Sequence, residues 1–332
     1  MIRITAITVS VLLAAACSSP TTETPHTNLP DAGTGAADPG PDAGTGAADP
    51  GPDAGDDAGT DGGTGSSHGQ GGIPCASTGV VTEGGTSYSY CVAGVGGVEM
   101  KIVEPEALGA GPLRLAVYLH GDGAGPYTSG LALRKLAPWT TKHGVLLAAA
   151  RAPNACAWWL EPSYTTCDAA TPVPESAIDT GGENAAALKA AIDALRAGWD
   201  IADSPALFGG SSGGSIFLSA SFLPLFGDQV TGAWALSCGG DAPWAGGLAW
   251  DGKNPALVGA NKLFFTYGDK DFVVPDVVES VAFYQGLSIP TEVKIIPETV
   301  AAGTSHCGNV GGSYSYDQIG RVAEVWSSYL GE

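Results

Sequence analysis

From Leu113 to Tyr329 the chain reads as short apolar runs alternating with longer helix-forming segments, and no other feature constrains its fold as tightly. Leu113–Leu119 (LRLAVYL) reads as a buried-type strand, and Gly144–Ala150, Ala206–Gly209, Val230–Leu236, Lys262–Tyr267 and Thr291–Ile296 read as further strands. Between them lie expected helices at Leu131–Thr141, Glu183–Trp199, Ser212–Leu223, Val277–Gln285 and Tyr316–Tyr329. In the second of these, Leu188, Ile192 and Leu195 recur at spacings of four and three, the period of one helix face. Two more strands, Ser87–Ala93 and Val98–Val103, open the series. Such alternation makes an α/β fold, a mostly parallel central sheet with helices on both faces.

The N-terminal part obeys different rules. Arg3 followed by an apolar run from Ile4 to Ala16 reads as a signal peptide over residues 1–16, too short to span a bilayer. It ends at Cys17, followed by two serines, which resembles a bacterial lipoprotein signal with Cys17 as the lipidated residue. Residues 17–72 then read as a tether. DAGTGAADPGP at Asp31–Pro41 is repeated residue for residue at Asp42–Pro52, and no Ile, Val, Phe, Trp or Tyr occurs between Ser18 and Gly72. Such a segment cannot bury enough apolar surface to offset its chain entropy. As a Gly-rich coil it spans about 40 Å, enough to hold a domain off a membrane. The expectation is therefore an exported protein, joined to the bacterial envelope through a lipid, with its folded domain at residues 73–332.

The formal net charge of −20 argues against a nucleic-acid partner, because phosphate binding needs a basic surface. Apart from Cys17 there are six cysteines, an even number that suits disulfides in an exported chain. Short spacing favours Cys75–Cys91 and Cys156–Cys167, which leaves Cys238–Cys307, although six cysteines allow 15 pairings. No CxxC spacing points to zinc.

The chemistry is carried by glycines and serines after the strand at Ala206–Gly209. G-x-S-x-G matches at Ser67, Ser211 and Ser212, and only the last two sit where a strand gives way to a helix, the context the motif requires. Read from Gly209, GGSSGG has the form G-x-S-x-G-G, which points to Ser211 as nucleophile and leaves Ser212 as the alternative. An acid and a histidine should follow in that order. Asp271 lies in GDKDFVV after the strand at Lys262–Tyr267, with Asp269 as the other acid in reach, and His306 lies in SHCG between the last strand and the last helix. Upstream, the strand Leu113–Leu119 runs into His120-Gly121-Asp122-Gly123, a turn suited to aiming the Asp122 N–H at an oxyanion, with the Ser212 N–H as second donor. His120 itself reads as structural.

These markers, with Trp158-Trp159 and Cys238, resemble the α/β-hydrolase branch that contains poly(3-hydroxybutyrate) depolymerases and feruloyl or acetyl-xylan esterases, over roughly Val98–Leu330. The resemblance implies a serine carboxylic-ester hydrolase acting on acyl esters of polysaccharides or on polyesters, with no metal or organic cofactor. Trp158 and Trp159 are candidates for the substrate cleft, and adjacent residues rarely face the same way, so at most one should line it. Two other functions remain open. Peptidases of the prolyl-oligopeptidase type share GGSxGG but usually carry a gating domain in front. A binding module would have kept the fold and lost the chemistry, against which the complete Ser, Asp, His order argues.

Overall fold

The computed structural model describes residues 66–69, 72–106, 111–167, 173–310 and 313–331. The signal peptide, the lipidation candidate Cys17 and most of the tether lie outside the described residues. The bonded part of the chain begins ahead of the boundary expected at Ile73. The Ser67 N–H donates to the Ile201 carbonyl at 2.8 Å, its Oγ donates to the Trp199 carbonyl at 2.8 Å, and the Gly72 N–H donates to Gly198 at 2.8 Å.

Nine strands form one sheet in the order β1-β2-β3-β5-β4-β6-β7-β8-β9. β1 (Ser77–Glu83), β2 (Thr86–Val95) and β3 (Val98–Val103) make an antiparallel meander. β3 pairs antiparallel with β5 (Val145–Ala150). From β5 onward every pairing is parallel, through β4 (Arg114–Leu119), β6 (Ala206–Ser211), β7 (Gly232–Ser237), β8 (Lys262–Gly268) and β9 (Thr291–Ile296). The central strands are buried along their whole length, as strands covered on both faces must be. Alternate residues of β4 feed two cores. Leu115, Val117 and Leu119 face one, together with α3 (Glu183–Gly198) and α7 (Val274–Gly286). Ala116 and Tyr118 face the other, with α2 (Leu131–Lys142) and α8 (Gln318–Leu330). This is the α/β-hydrolase fold.

Where the periodicity was strong, the elements follow it. Val98–Val103 and Thr291–Ile296 are strands over the expected residues. β1 was not anticipated, because it is an edge strand with little burial and no apolar alternation. The helix expected at Ser212–Leu223 is instead interrupted, running as α4 (Gly213–Phe217), a wider turn at Leu218–Phe222, and α5 (Leu223–Phe226). Cys75–Cys91, Cys156–Cys167 and Cys238–Cys307 are all bonded, the pairing that spacing favoured. No helix among the described residues is long and apolar enough to cross a membrane.

Candidate active site

Strand β6 runs two residues further than its apolar residues suggest. Ser211 is still in register opposite Ser237 of β7, so it belongs to the strand and not to the turn. It is buried, and its Oγ sits 2.8 Å from the Tyr118 hydroxyl in the core between sheet and α8. The serine expected as nucleophile is therefore turned into the core, and it is the neighbouring serine that meets His306. Ser212 is the first residue off the strand, with φ 51° and ψ −125°. That backbone is rarely adopted by a side-chain-bearing residue, and such strain is concentrated at functional sites. It throws the Ser212 side chain clear of the sheet, where Oγ lies 2.7 Å from His306 Nε2.

The turn is possible because of its glycines. A Cβ on Gly210 would lie 2.8 Å from the Gly214 carbonyl carbon, and one on Gly214 would lie 2.6 Å from the Leu119 oxygen. The glycines that matter are thus two before and two after Ser212. G-x-S-x-G is centred on Ser212, and the overlapping match at Ser211 is incidental.

His306 is held from its other ring nitrogen. Nδ1 is 3.0 Å from Asp271 Oδ1, and the tautomer that accepts the serine proton at Nε2 is the one that donates from Nδ1 to the carboxylate. Asp271 is 2% exposed and fully occupied. Its Oδ1 also accepts from the Val273 N–H at 3.2 Å, and its Oδ2 accepts from the Cys307 N–H at 2.7 Å. Phe272 stacks on the imidazole with ring centroids 4.4 Å apart. Asp269, the other acid in this loop, is paired with Lys270 and accepts from the Glu298 N–H, turned away from the histidine. The Cys238–Cys307 disulfide ties the residue after His306 to the end of β7, and both cysteines have positive φ. Buried Glu298 adds a further tie that the sequence did not signal. It accepts from Ser305 Oγ at 2.7 Å, from Ser315 Oγ at 3.1 Å and from the Lys270 N–H at 3.3 Å.

The opposite wall is the turn after β4. His120 is buried, its Nε2 accepts from the Ala152 N–H at 3.0 Å and its Nδ1 donates to the Gly121 carbonyl at 2.6 Å. Burial lowers its pKa to about 4, so it is a neutral strut and not a proton carrier. Gly121 lies against Ser212: a Cβ there would be 3.0 Å from Ser212 Cβ. The Ser212 N–H, expected as an oxyanion donor, is spent on the Ser237 carbonyl at 2.9 Å. Gly213 is the first residue of α4, where its N–H has no intrahelical acceptor. The neighbouring turn uses its Gly123 N–H on Cys156 and its Ala124 N–H on Gly121, while Asp122 faces Gly213.

Of the two tryptophans, Trp158 is fully buried against Phe217 and His120. Trp159 lies beside Gly213, with its Nε1 donating to Asp122 Oδ1 at 2.8 Å. Buried Asn154 shapes the loop that carries them, accepting from the Cys156 and Ala157 N–H groups and donating to Leu160 and Glu161.

No protein-family model matches the chain, and no curated protein does. Solved structures that it resembles include TT1662 from Thermus thermophilus, 14% identical, with 73% of this chain and 96% of that one covered at a TM-score of 0.46. EstE7, a hormone-sensitive-lipase homologue from a metagenome library, is 17% identical, with 77% and 88% covered at 0.45. Est1E from Butyrivibrio proteoclasticus is 12% identical, with 77% and 99% covered at 0.43. Likenesses this remote carry no weight for the activity, which has to be argued from the site itself.

Proposed function

We propose that the chain is a serine hydrolase of carboxylic esters in which Ser212 is the nucleophile, His306 the general base and acid, and Asp271 the group that holds the imidazole. One observation carries this reading: a strained serine at a strand-to-helix turn lies 2.7 Å from an imidazole nitrogen whose partner nitrogen is 3.0 Å from a buried carboxylate. Ser212 Oγ attacks the ester carbonyl as its proton passes to His306 Nε2. The tetrahedral oxyanion is received by the N–H groups of Asp122 and Gly213, each donor worth roughly 10²–10³ in rate. His306 then protonates the leaving alcohol, and water, deprotonated by the same imidazole, releases the acid and restores Ser212. Asp271 stabilises the imidazolium throughout and keeps its own proton off.

The finer reading follows the sequence resemblance. It takes the substrate as an acyl ester of a polysaccharide or a polyester, and the protein as exported and tethered to the envelope through Cys17. Three disulfides suit an oxidising compartment.

The test is a pair of variants assayed on 4-nitrophenyl acetate and on a peptide amide. Ser212→Ala should lose at least about 10³-fold in kcat, while Ser211→Ala keeps activity within about tenfold. Activity lost in Ser211→Ala alone would return the role to that residue. Turnover of the amide in place of the ester would make the protein a peptidase.

A further inference from the structure

Asp122 puts a carboxyl group where the reaction described above has no use for one. The residue's own N–H is an oxyanion donor in that reading, so its side chain stands within one residue's reach of the atom that becomes negative. A carboxylate in that position opposes the transition state unless something offsets its charge. The protein offers little that does. Among the described residues, the one group hydrogen-bonded to the carboxyl is Trp159 Nε1, on Oδ1. No lysine or arginine pairs with it. Desolvation in the cleft raises its pKa, and the Trp159 bond and the nearness of His306 only partly counter that.

The group is nevertheless built in. A Cβ on Gly213 would fall 2.0 Å from Asp122 Oδ1 and 2.9 Å from Trp159 Cδ1, so the glycine after the nucleophile is what admits this pair of side chains. The pair lies on the Gly213 side of Ser212. In that reading the oxyanion lies on this side and the leaving alcohol faces His306 Nε2 to receive its proton, so the substituent that comes beside the pair, next to the oxyanion, belongs to the acyl part of the substrate. Asp122 as a residue is exposed, while its Oδ1 is packed against Gly213 and Trp159.

We propose that the Asp122 carboxylate is a specificity-determining residue that binds a hydrogen-bond donor, a hydroxyl or an ammonium group, carried on the acyl part of the substrate close to the scissile carbonyl. The inference rests on Ser212 being the nucleophile. A donor on the substrate supplies the missing partner and neutralises the charge beside the oxyanion. An alkyl group in the same place leaves the carboxylate desolvated and unpaired, which costs binding.

Three 4-nitrophenyl esters of equal size make the test: propionyl, glycolyl and glycyl, differing only in a methyl, hydroxyl or ammonium group. For each enzyme the quantity read is kcat/KM on the glycyl or glycolyl ester divided by that on the propionyl ester. Intrinsic reactivity cancels when wild type is compared with variant. In Asp122→Asn the glycyl ratio should fall by about 10–100-fold and the glycolyl ratio by a smaller factor, as expected for a lost charge-assisted bond. Asp122→Ser should act in the same direction, and it carries the test if the asparagine variant does not fold. A fall in the glycyl ratio alone also supports the proposal and narrows the donor to a cation. Ratios unchanged in both variants, whether or not the rates drop together, overturn it. Ser212→Ala assayed in parallel keeps the two readings apart. Its full activity would sink the nucleophile assignment, while the ratios would still report on Asp122.

Discussion

The two walls of the cleft are held in different ways. On the His306 wall the ties fall on the reacting groups or on their immediate neighbours. Cys307 is disulfide-bonded and also gives its N–H to Asp271, Ser305 is held by Glu298, and Phe272 covers the imidazole. On the Asp122 wall the ties fall further back. His120, Asn154 and Cys156–Cys167 fix the loops, but the side chains proposed to face the substrate, Trp159 and Asp122, meet through one hydrogen bond. The difference teaches where error is tolerated. Proton transfer fails if the imidazole shifts by about 1 Å, which can cost roughly 10²-fold, so that wall is fixed at the atoms themselves. Substrate recognition survives, and needs, some adjustment. Damage to the first wall should therefore appear in kcat, and damage to the second in selectivity or KM.

The largest effect expected is at Asp271. Asp271→Asn keeps the shape but leaves the imidazole facing an amide, which favours the wrong tautomer. A fall of about 10³–10⁴ in kcat with little change in KM is expected. A loss confined to KM would show that the His306 wall is not specialised for proton transfer.

The disulfides give the sharper contrast. Cys238–Cys307 closes 69 residues and Cys156–Cys167 closes 11, so loop-closure arguments allow about 4 and about 3 kcal/mol, close enough for a fair comparison. Replacing the first pair with serines should cost up to about 10²-fold in kcat, measured well below the melting temperature. Replacing the second should lower stability similarly, while kcat falls less than tenfold and KM rises. Equal losses of kcat in both would erase the distinction between the walls.

How much of this was legible in the sequence depends on what each feature rests on. Strands buried on both faces announce themselves as apolar runs, and β4 to β8 were visible for that reason. The meeting of Asp271 with His306 was legible because the two follow the serines in a fixed order, each after a strand. That Ser212, and not Ser211, is the serine beside His306 was not, because the choice between neighbouring serines turns on whether β6 ends at Gly209 or Ser211. Glycine and serine have no apolar period to mark that end. The deciding signal was the glycine placement: Gly210 and Gly214 are the ones pressed against backbone, which only three-dimensional contact reveals. The same holds for the oxyanion donors. In the proposed reading, taking Ser212 as nucleophile moves the second donor from Ser212 to Gly213. Glu298 carried no motif at all, and its role comes from loops distant in sequence meeting around one buried carboxyl.

The smallest effect concerns acid, and it too separates the walls. His120, behind the Asp122 wall, has its pKa lowered by burial to about 4, against about 6.5 in an unfolded chain. As pH falls through 6.5 the unfolded state takes up this proton and the native state does not, so His120 makes the protein less stable down to about pH 4. Asp241, on the loop after β7, works in the opposite direction. Burial raises its pKa to about 6 despite hydrogen bonds from the Trp244 Nε1 and the Ala242 N–H. Its native state holds a proton that the unfolded state has released. The stability it contributes is present below about pH 4 and is lost as pH rises through 6. Across pH 4–6 the two slopes oppose each other, and the wild type should show nearly flat stability in urea. Asp241→Asn removes the titration and keeps one of the two oxygens that accept those bonds, which unmasks the His120 slope. Between pH 6.5 and 4 that variant should lose at most about 3 kcal/mol relative to its own value at pH 7. Urea midpoints at pH 7, 5.5 and 4.5 decide it. A variant as flat as the wild type would mean that His120 is protonated in the native protein, and that the strut behind the Asp122 wall is not the neutral imidazole its two hydrogen bonds require.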